Sequence, residues 1–145
     1  MGFSIAIACD HGGFELKVGL CRFLEASGHT VVDLGVDTPE SADYPDKAHA
    51  LAEEILQARA DLGILICGTG IGMSIAANRC KGIRAALCTN SYMAKMAREH
   101  NDANVLCLGG RVVGPALAEN IVTEFLSGKF QGGRHVRRLE KIEFQ

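Results

Sequence analysis

Five short, mainly apolar runs set the limits on how this chain can fold: Phe3–Cys9, Thr30–Leu34, Leu62–Cys67, Ile83–Cys88 and Val105–Leu108. A strand with one wet face alternates apolar with polar residues. Short continuous runs instead suit strands covered on both faces, as in a parallel sheet between helices. The segments between the runs carry a helical period. Leu16, Leu20, Phe23 and Leu24 share a face before Gly28, and Leu51, Ala52, Ile55 and Leu56 share another. Further helices are predicted over 71–78, 91–99 and 115–126, the last with Pro115 in its first turn and Gly128 just past its end. The order is strand then helix, five times over. Right-handed crossovers turn that order into a Rossmann-like three-layer α/β/α sandwich, with helices on both faces of a five-stranded parallel sheet.

At 145 residues, 48% hydrophobic and 22% charged, the chain fills one domain, 1–145, and leaves no room for a second. A net charge of -2 exerts no general pull on nucleic acid or an anionic membrane. The opening MGFSIAIACDHGG has no basic leader, and its apolar run is interrupted at Ser4 and ended by Asp10 and His11. It reads as neither signal peptide nor span, so a cytoplasmic protein is expected. The six cysteines show no CxxC spacing, which in a reducing compartment predicts free thiols. A zinc site of Cys9, Cys67, Cys88 and Cys107 is conceivable, but their long separations argue against it, and no metal is expected.

In parallel sheets ligands gather at the carboxyl ends of the strands. There the chain places Cys9-Asp10-His11-Gly12-Gly13, Gly35, Cys67-Gly68-Thr69-Gly70-Ile71-Gly72, Cys88-Thr89-Asn90 and Gly109-Gly110-Arg111. The Cys67–Gly72 stretch is the sharpest, because glycines let amides turn inward and a following helix start adds positive potential for an anion. A dinucleotide fingerprint fits poorly: GTGIG lacks the GxGxxG spacing and follows the third run. No lysine ends the loop as a P-loop requires. Cys67 has two readings. The turn's amides would favour a thiolate able to act as a base, or the residue is a buried core thiol like Cys21 or Cys80.

Asp10 is either a helix cap or a group that holds a hydroxyl, and the two are compatible. His11 offers a phosphate contact or a proton. His100-Asn101-Asp102 precedes the fifth run and is expected near the same sheet edge, where His100 can transfer a proton and Asn101 can recognise a hydroxyl. The alternative for His100 is a helix-dipole partner. His29 and His49 lie away from strand ends and read as surface or structural residues. Arg111 follows the fifth run. In Gly132–Arg138, if helical, Arg134 and Arg138 share a face and can fork onto one phosphate; a solvated basic end is the plainer reading.

These stretches together resemble the ribose-5-phosphate isomerase B family, which includes the galactose-6-phosphate isomerase subunits. The likeness rests on CDHGGFELK (9–17), DYP (43–45), ICGTGIGMSIAANR (66–79), GIRAALC (82–88), HNDANVLCLGGRVVG (100–114) and GGRHVRR (132–138). It implies a metal-free and cofactor-free isomerase that interconverts an aldose phosphate and a ketose phosphate through a cis-enediolate. On this resemblance Cys67 is the proton acceptor and His100 the acid that opens the sugar ring. Asp10, Thr69 and Asn101 contact substrate oxygens, and Gly68, Gly70, Ile71 and Gly72 cradle the developing oxyanion. Phosphate falls to His11, Arg111, Arg134 and Arg138. One branch of the family uses a glutamate just after the glycine loop as base. Met73 occupies that place here, so the resemblance leaves the cysteine route. It also implies a homodimer or dimer of dimers with active sites shared between subunits.

D-Ribose 5-phosphate and D-ribulose 5-phosphate are the default pair. An allose, galactose or tetrose phosphate is the alternative, since one methylene or hydroxyl shifts discrimination by only about 1–3 kcal/mol in a nonspecific pocket. A non-catalytic sugar-phosphate or nucleotide binding module needs no proton-transfer groups, and the coincidence of Cys67, His100 and Asp10 favours an enzyme. No nucleic-acid or membrane partner is expected.

Overall fold

The computed structural model describes residues 2–35 and 43–143. It begins with β1 (Ser4–Cys9), a 3-10 turn (His11–Gly13) and α1 (Phe14–Ala26), followed by β2 (Thr30–Asp33) and α2 (Tyr44–Leu56). Then come β3 (Leu62–Cys67), α3 (Ile71–Ala77), β4 (Ala85–Leu87), α4 (Ser91–Asn101), β5 (Val105–Gly109), α5 (Pro115–Ser127) and α6 (Arg134–Ile142). The strands form one sheet in the order β2-β1-β3-β5-β4, and every pairing is parallel.

Buried side chains divide between the two faces of the sheet, which is why the strands read as continuous apolar runs. On one face Ile5, Ile7, Ile64, Ile66, Leu106 and Leu108 meet Leu16, Leu20 and Leu24 of α1, Ala94 and Ala97 of α4 and Ile121, Val122 and Phe125 of α5. On the other, Ala6, Ala8, Leu65, Cys67, Val105 and Cys107 meet Ala48, Leu51 and Ala52 of α2 and Met73, Ala76 and Ala77 of α3. The central strand β3 is buried along its whole length. Cutting Leu65 to Ala there should cost about 2–5 kcal/mol, because a close-packed interior relaxes only partly around a void.

The three-layer α/β/α architecture expected from the sequence is the one found. Local stops also fall where expected: α1 ends before Gly28, whose φ is +91°, and α5 runs from Pro115 to a Gly128 cap. The fourth strand is shorter than the apolar run 83–88. Ile83 N–H instead closes a turn on Cys80 O, and β4 pairs on one side only. The 3-10 turn at 11–13 and the last residues of α4 go beyond the sequence expectation. Among the described residues no helix is long and apolar enough to cross a membrane.

Candidate active site

The chain leaves β1 toward β2 on one side and returns to β3 on the other, so a crevice opens at the carboxyl ends of β1 and β3. Three loops close on it. Asp10 N–H donates to Ile66 O at 3.1 Å, Gly110 N–H to Cys67 O at 2.8 Å and Arg111 N–H to Gly68 O at 3.0 Å. A side chain at Gly110 would collide with the Gly12 carbonyl, so the close approach requires glycine there, and a Cβ at Gly12 would press on the Gly68 backbone at 3.0 Å.

Cys67 closes β3 with only 5% of its surface exposed, and its Sγ accepts a hydrogen bond from Gly70 N–H at 3.1 Å. Gly70 takes a left-handed φ of +82°, which a side chain there would oppose. Thr69 Oγ1 accepts from Ile71 N–H at 3.2 Å, so Thr69 and Cys67 both brace the turn. Three other thiols are pushed upward. Burial, reinforced by Asp33, pushes Cys21 up to about 11, burial pushes Cys88 up to about 11, and burial drives Cys107 higher still. Of the two sequence readings of Cys67, its burial is observed, and the glycine turn that the other reading calls for wraps the sulfur.

Asp10 is 7% exposed, and its Oδ1 accepts from Gly12 N–H at 2.8 Å, so it caps the 3-10 turn. His11 is exposed on that turn, and the Arg111 guanidinium lies over Gly68, whose added Cβ would sit 3.2 Å from Nη1. Asp10, His11, Cys67, Gly68–Gly72 and Arg111 thus share the carboxyl edge.

The expectation that His100 and Asn101 lie on this edge is overturned. A crossover helix starts at the carboxyl edge and runs back, so the end of α4 falls at the amino edge. The backbone bonds agree: Gly63 N–H, at the start of β3, donates to Asn104 O at 2.9 Å, and Val105 N–H donates to Arg84 O at 3.3 Å. Helix α6 joins His100 there. The His135 ring stacks on His100 with centroids 4.3 Å apart and planes at 16°, and Gln131 N–H donates to Glu99 O at 3.0 Å. Arg134 and Arg138 are exposed on α6 beside this pair. Six residues of β3 at about 3.3 Å each separate the two edges by roughly 17 Å. One chain therefore does not bring His100, Asn101, Arg134 and Arg138 to Cys67.

His135 is buried, and among the described residues its Nε2 has no hydrogen-bond partner. Burial, then His100, Arg134 and Arg138, lower it below the ordinary histidine value. His29 is structural, its Nδ1 accepting from Phe3 N–H at 3.0 Å, whereas His49 lies on the surface. Cys9 and Cys88 belong to one face of the sheet and Cys67 and Cys107 to the other, so the four cysteines cannot converge on one zinc.

Two site features carried no expectation. The Tyr44 ring lies on Gly72, whose added Cβ would fall 2.5 Å from Cε1, and so walls one side of the glycine turn. The DYP stretch was the available signal. Buried Lys17 pairs with Asp33 at 2.9 Å, Asp33 accepts from Gly35 N–H at 2.9 Å, and Gly35 O accepts from Cys9 N–H at 2.9 Å, next to Asp10. Nothing in the FELK stretch distinguishes Lys17 from a solvated helix lysine.

The family described as Ribose/Galactose Isomerase matches residues 5–142. Ribose-5-phosphate isomerase B of Escherichia coli (strain K12) is 48% identical over 138 residues, 95% of this chain and 93% of that one. D-Erythrulose-4-phosphate isomerase of Pectobacterium atrosepticum is 45% identical over 142 residues, 97% and 93% of the two chains. The crystal structure of a ribose 5-phosphate isomerase from Thermotoga maritima superposes with a TM-score of 0.97 at 54% identity, covering 99% of each chain. Fold and similarity define a sugar-phosphate isomerase, which sets aside the non-catalytic binding module. The chain belongs to the ribose/galactose isomerase family, and within it to the ribose-5-phosphate isomerase B type.

Proposed function

We propose that this chain interconverts D-ribose 5-phosphate and D-ribulose 5-phosphate through a cis-enediolate, as a homodimer in which each site joins the carboxyl edge of one subunit to the amino edge of the other. The observation that carries this reading is the Cys67 sulfur at the β1/β3 crevice, with Gly70 N–H donating to it at 3.1 Å. The split of the expected site residues between two sheet edges supports the shared site, since a second copy can supply what one edge lacks.

His100 of the partner subunit protonates the ring oxygen as solvent water takes the proton of the C1 hydroxyl, which breaks the bond between C1 and the ring oxygen and leaves an aldehyde. The Cys67 thiolate then takes the C2 proton, and the electron pair moves onto O1, facing the amides of Gly68–Gly72. Gly70 N–H keeps its hold on the sulfur throughout. The proton on O2 passes to O1 and the Cys67 thiol returns its proton to C1, giving the ketose. Asp10, Thr69 and Asn101 of the partner subunit hold substrate oxygens. His11 and Arg111 grip the phosphate together with Arg134 and Arg138 of the partner subunit. Met73, fully buried under the turn, offers no alternative base.

Isomerisation in D2O tests the chemistry. Deuterium entering the transferred position, by exchange of the Cys67 thiol proton with solvent before its return to C1, is expected from the wild type and not from Cys67→Ser, and a Cys67→Ser enzyme that still passes solvent deuterium into product would sink the assignment of the base. A four-carbon aldose phosphate is the second reading, favoured by the similarity to the Pectobacterium atrosepticum enzyme. Comparing kcat/KM for ribose 5-phosphate and erythrose 4-phosphate decides between them.

A further inference from the structure

We infer that Arg84 is a positioning residue for His100, a clamp that sets the end of α4 so that the histidine reaches the ring oxygen of a cyclic sugar phosphate. The inference rests on the reading of His100 as the ring-opening acid. The GIRAALC stretch holds Arg84, yet the reaction as derived uses no residue from it. Arg84 precedes β4, and its side chain crosses to the turn that follows His100. There Nε donates to Asn101 O at 3.2 Å and to Asp102 O at 2.8 Å, and Nη2 pairs with the Asp102 carboxylate at 3.3 Å. The main chain of Arg84 grips the same turn: its N–H donates to Asn104 Oδ1 at 2.8 Å and its carbonyl accepts from Asn104 N–H at 3.0 Å.

This turn needs holding. Asp102 caps α4 at φ +45°, a left-handed conformation that a residue with a Cβ adopts at a cost. The last carbonyls of a helix also lack intrahelical donors, and here one guanidinium N–H is shared between two carbonyls while the same group neutralises the adjacent carboxylate. Arg98 Nη1, donating to Ala103 O at 2.8 Å, secures the next residue. His135 stacks on the His100 ring. Ring and backbone of His100 are therefore held by separate groups, and the Arg84 clamp is the one that grips the two carbonyls directly after His100. A lysine has no planar fork with which to reach both carbonyls and the carboxylate.

The experiment compares kcat/KM for ribose 5-phosphate with that for erythrose 4-phosphate, whose esterified 4-hydroxyl cannot close a furanose ring. Arg84→Gln should lower the cyclic-to-open-chain ratio about tenfold to a hundredfold, the scale of a misplaced catalytic group, with Arg84→Lys in between. Asp102→Gly, which keeps the left-handed turn but removes the carboxylate, should lower it a few-fold and serves if Arg84→Gln does not fold. His100→Asn is the reference. If His100→Asn leaves the ratio unchanged, the ring-opening reading itself fails. If His100→Asn moves the ratio while folded Arg84 and Asp102 variants keep the wild-type value, Arg84 is a structural cap and the inference is overturned.

Discussion

Cys67 ends β3 at the carboxyl edge of the sheet while His100, in the last turn of α4, lies at the amino edge, on opposite ends of the same domain. Complementation follows if each site takes one residue from each subunit. Cys67→Ser and His100→Ala homodimers should both be nearly inactive. Mixed and allowed to exchange subunits, they should recover about a quarter of wild-type activity, because half the dimers are mixed and each of those has one intact site. No recovery in a mixture that native mass spectrometry shows to contain heterodimers would rule out the shared site.

Arg134 and Arg138 are exposed four residues apart on α6, next to the His100–His135 stack. Either replaced by Ala should raise KM, with kcat/KM falling about tenfold to a hundredfold, as a charge-assisted phosphate contact contributes about 1.5–3 kcal/mol. Arg137→Ala, on a different part of the helix surface, should change it little. Equal losses at Arg137 and Arg138 would point to general charge instead of a fork on one phosphate.

How far the sequence could be read depended on whether the information was local. The stop at Gly28, the Pro115 start and four of the five apolar runs depend on residues within one turn or strand and are found in place, whereas the run 83–88 yields only the short β4, Ala85–Leu87. The carboxyl-edge loops were legible for the same reason, as each directly follows its strand. His100 was placed on the wrong edge because closeness in sequence to β5 names the strand and not its end; the return path of α4 decides that. Arg84 with Asp102, Lys17 with Asp33 and Tyr44 on Gly72 join segments far apart in sequence, and no periodicity records such pairings.

His135 provides a pH test. Its value lies below the ordinary 6.5, chiefly from burial and then from His100, Arg134 and Arg138. Below about pH 6.5 the unfolded chain takes up a proton that the folded chain resists, so stability falls as pH drops through that point. His135→Phe keeps a flat ring and removes the titration. Urea midpoints at about pH 7.5 and about pH 5.5 should drop more for wild type than for His135→Phe. Equal drops would mean that His135 charges as readily folded as unfolded.

Cys67→Ser should abolish proton transfer between C1 and C2 while leaving the fold and phosphate binding nearly intact. The thiol sits where Gly70 N–H already donates to the sulfur, an arrangement that needs no dedicated base beside it. Serine nearly keeps the size, but its hydroxyl ionises far too weakly without such a base. General-base catalysis contributes roughly a hundredfold to ten-thousandfold, so the loss in kcat should be at least of that order. Iodoacetamide at mildly alkaline pH adds a second measurement. Cys21 and Cys88, each raised to about 11 chiefly by burial, should react slowly, and Cys107, raised further by burial, more slowly still. Inactivation should track a single alkylated peptide containing Cys67, and saturating substrate should protect it. A Cys67→Ser enzyme with near wild-type kcat, still passing solvent deuterium into product, would assign the base to another group and leave Cys67 as packing at the end of β3.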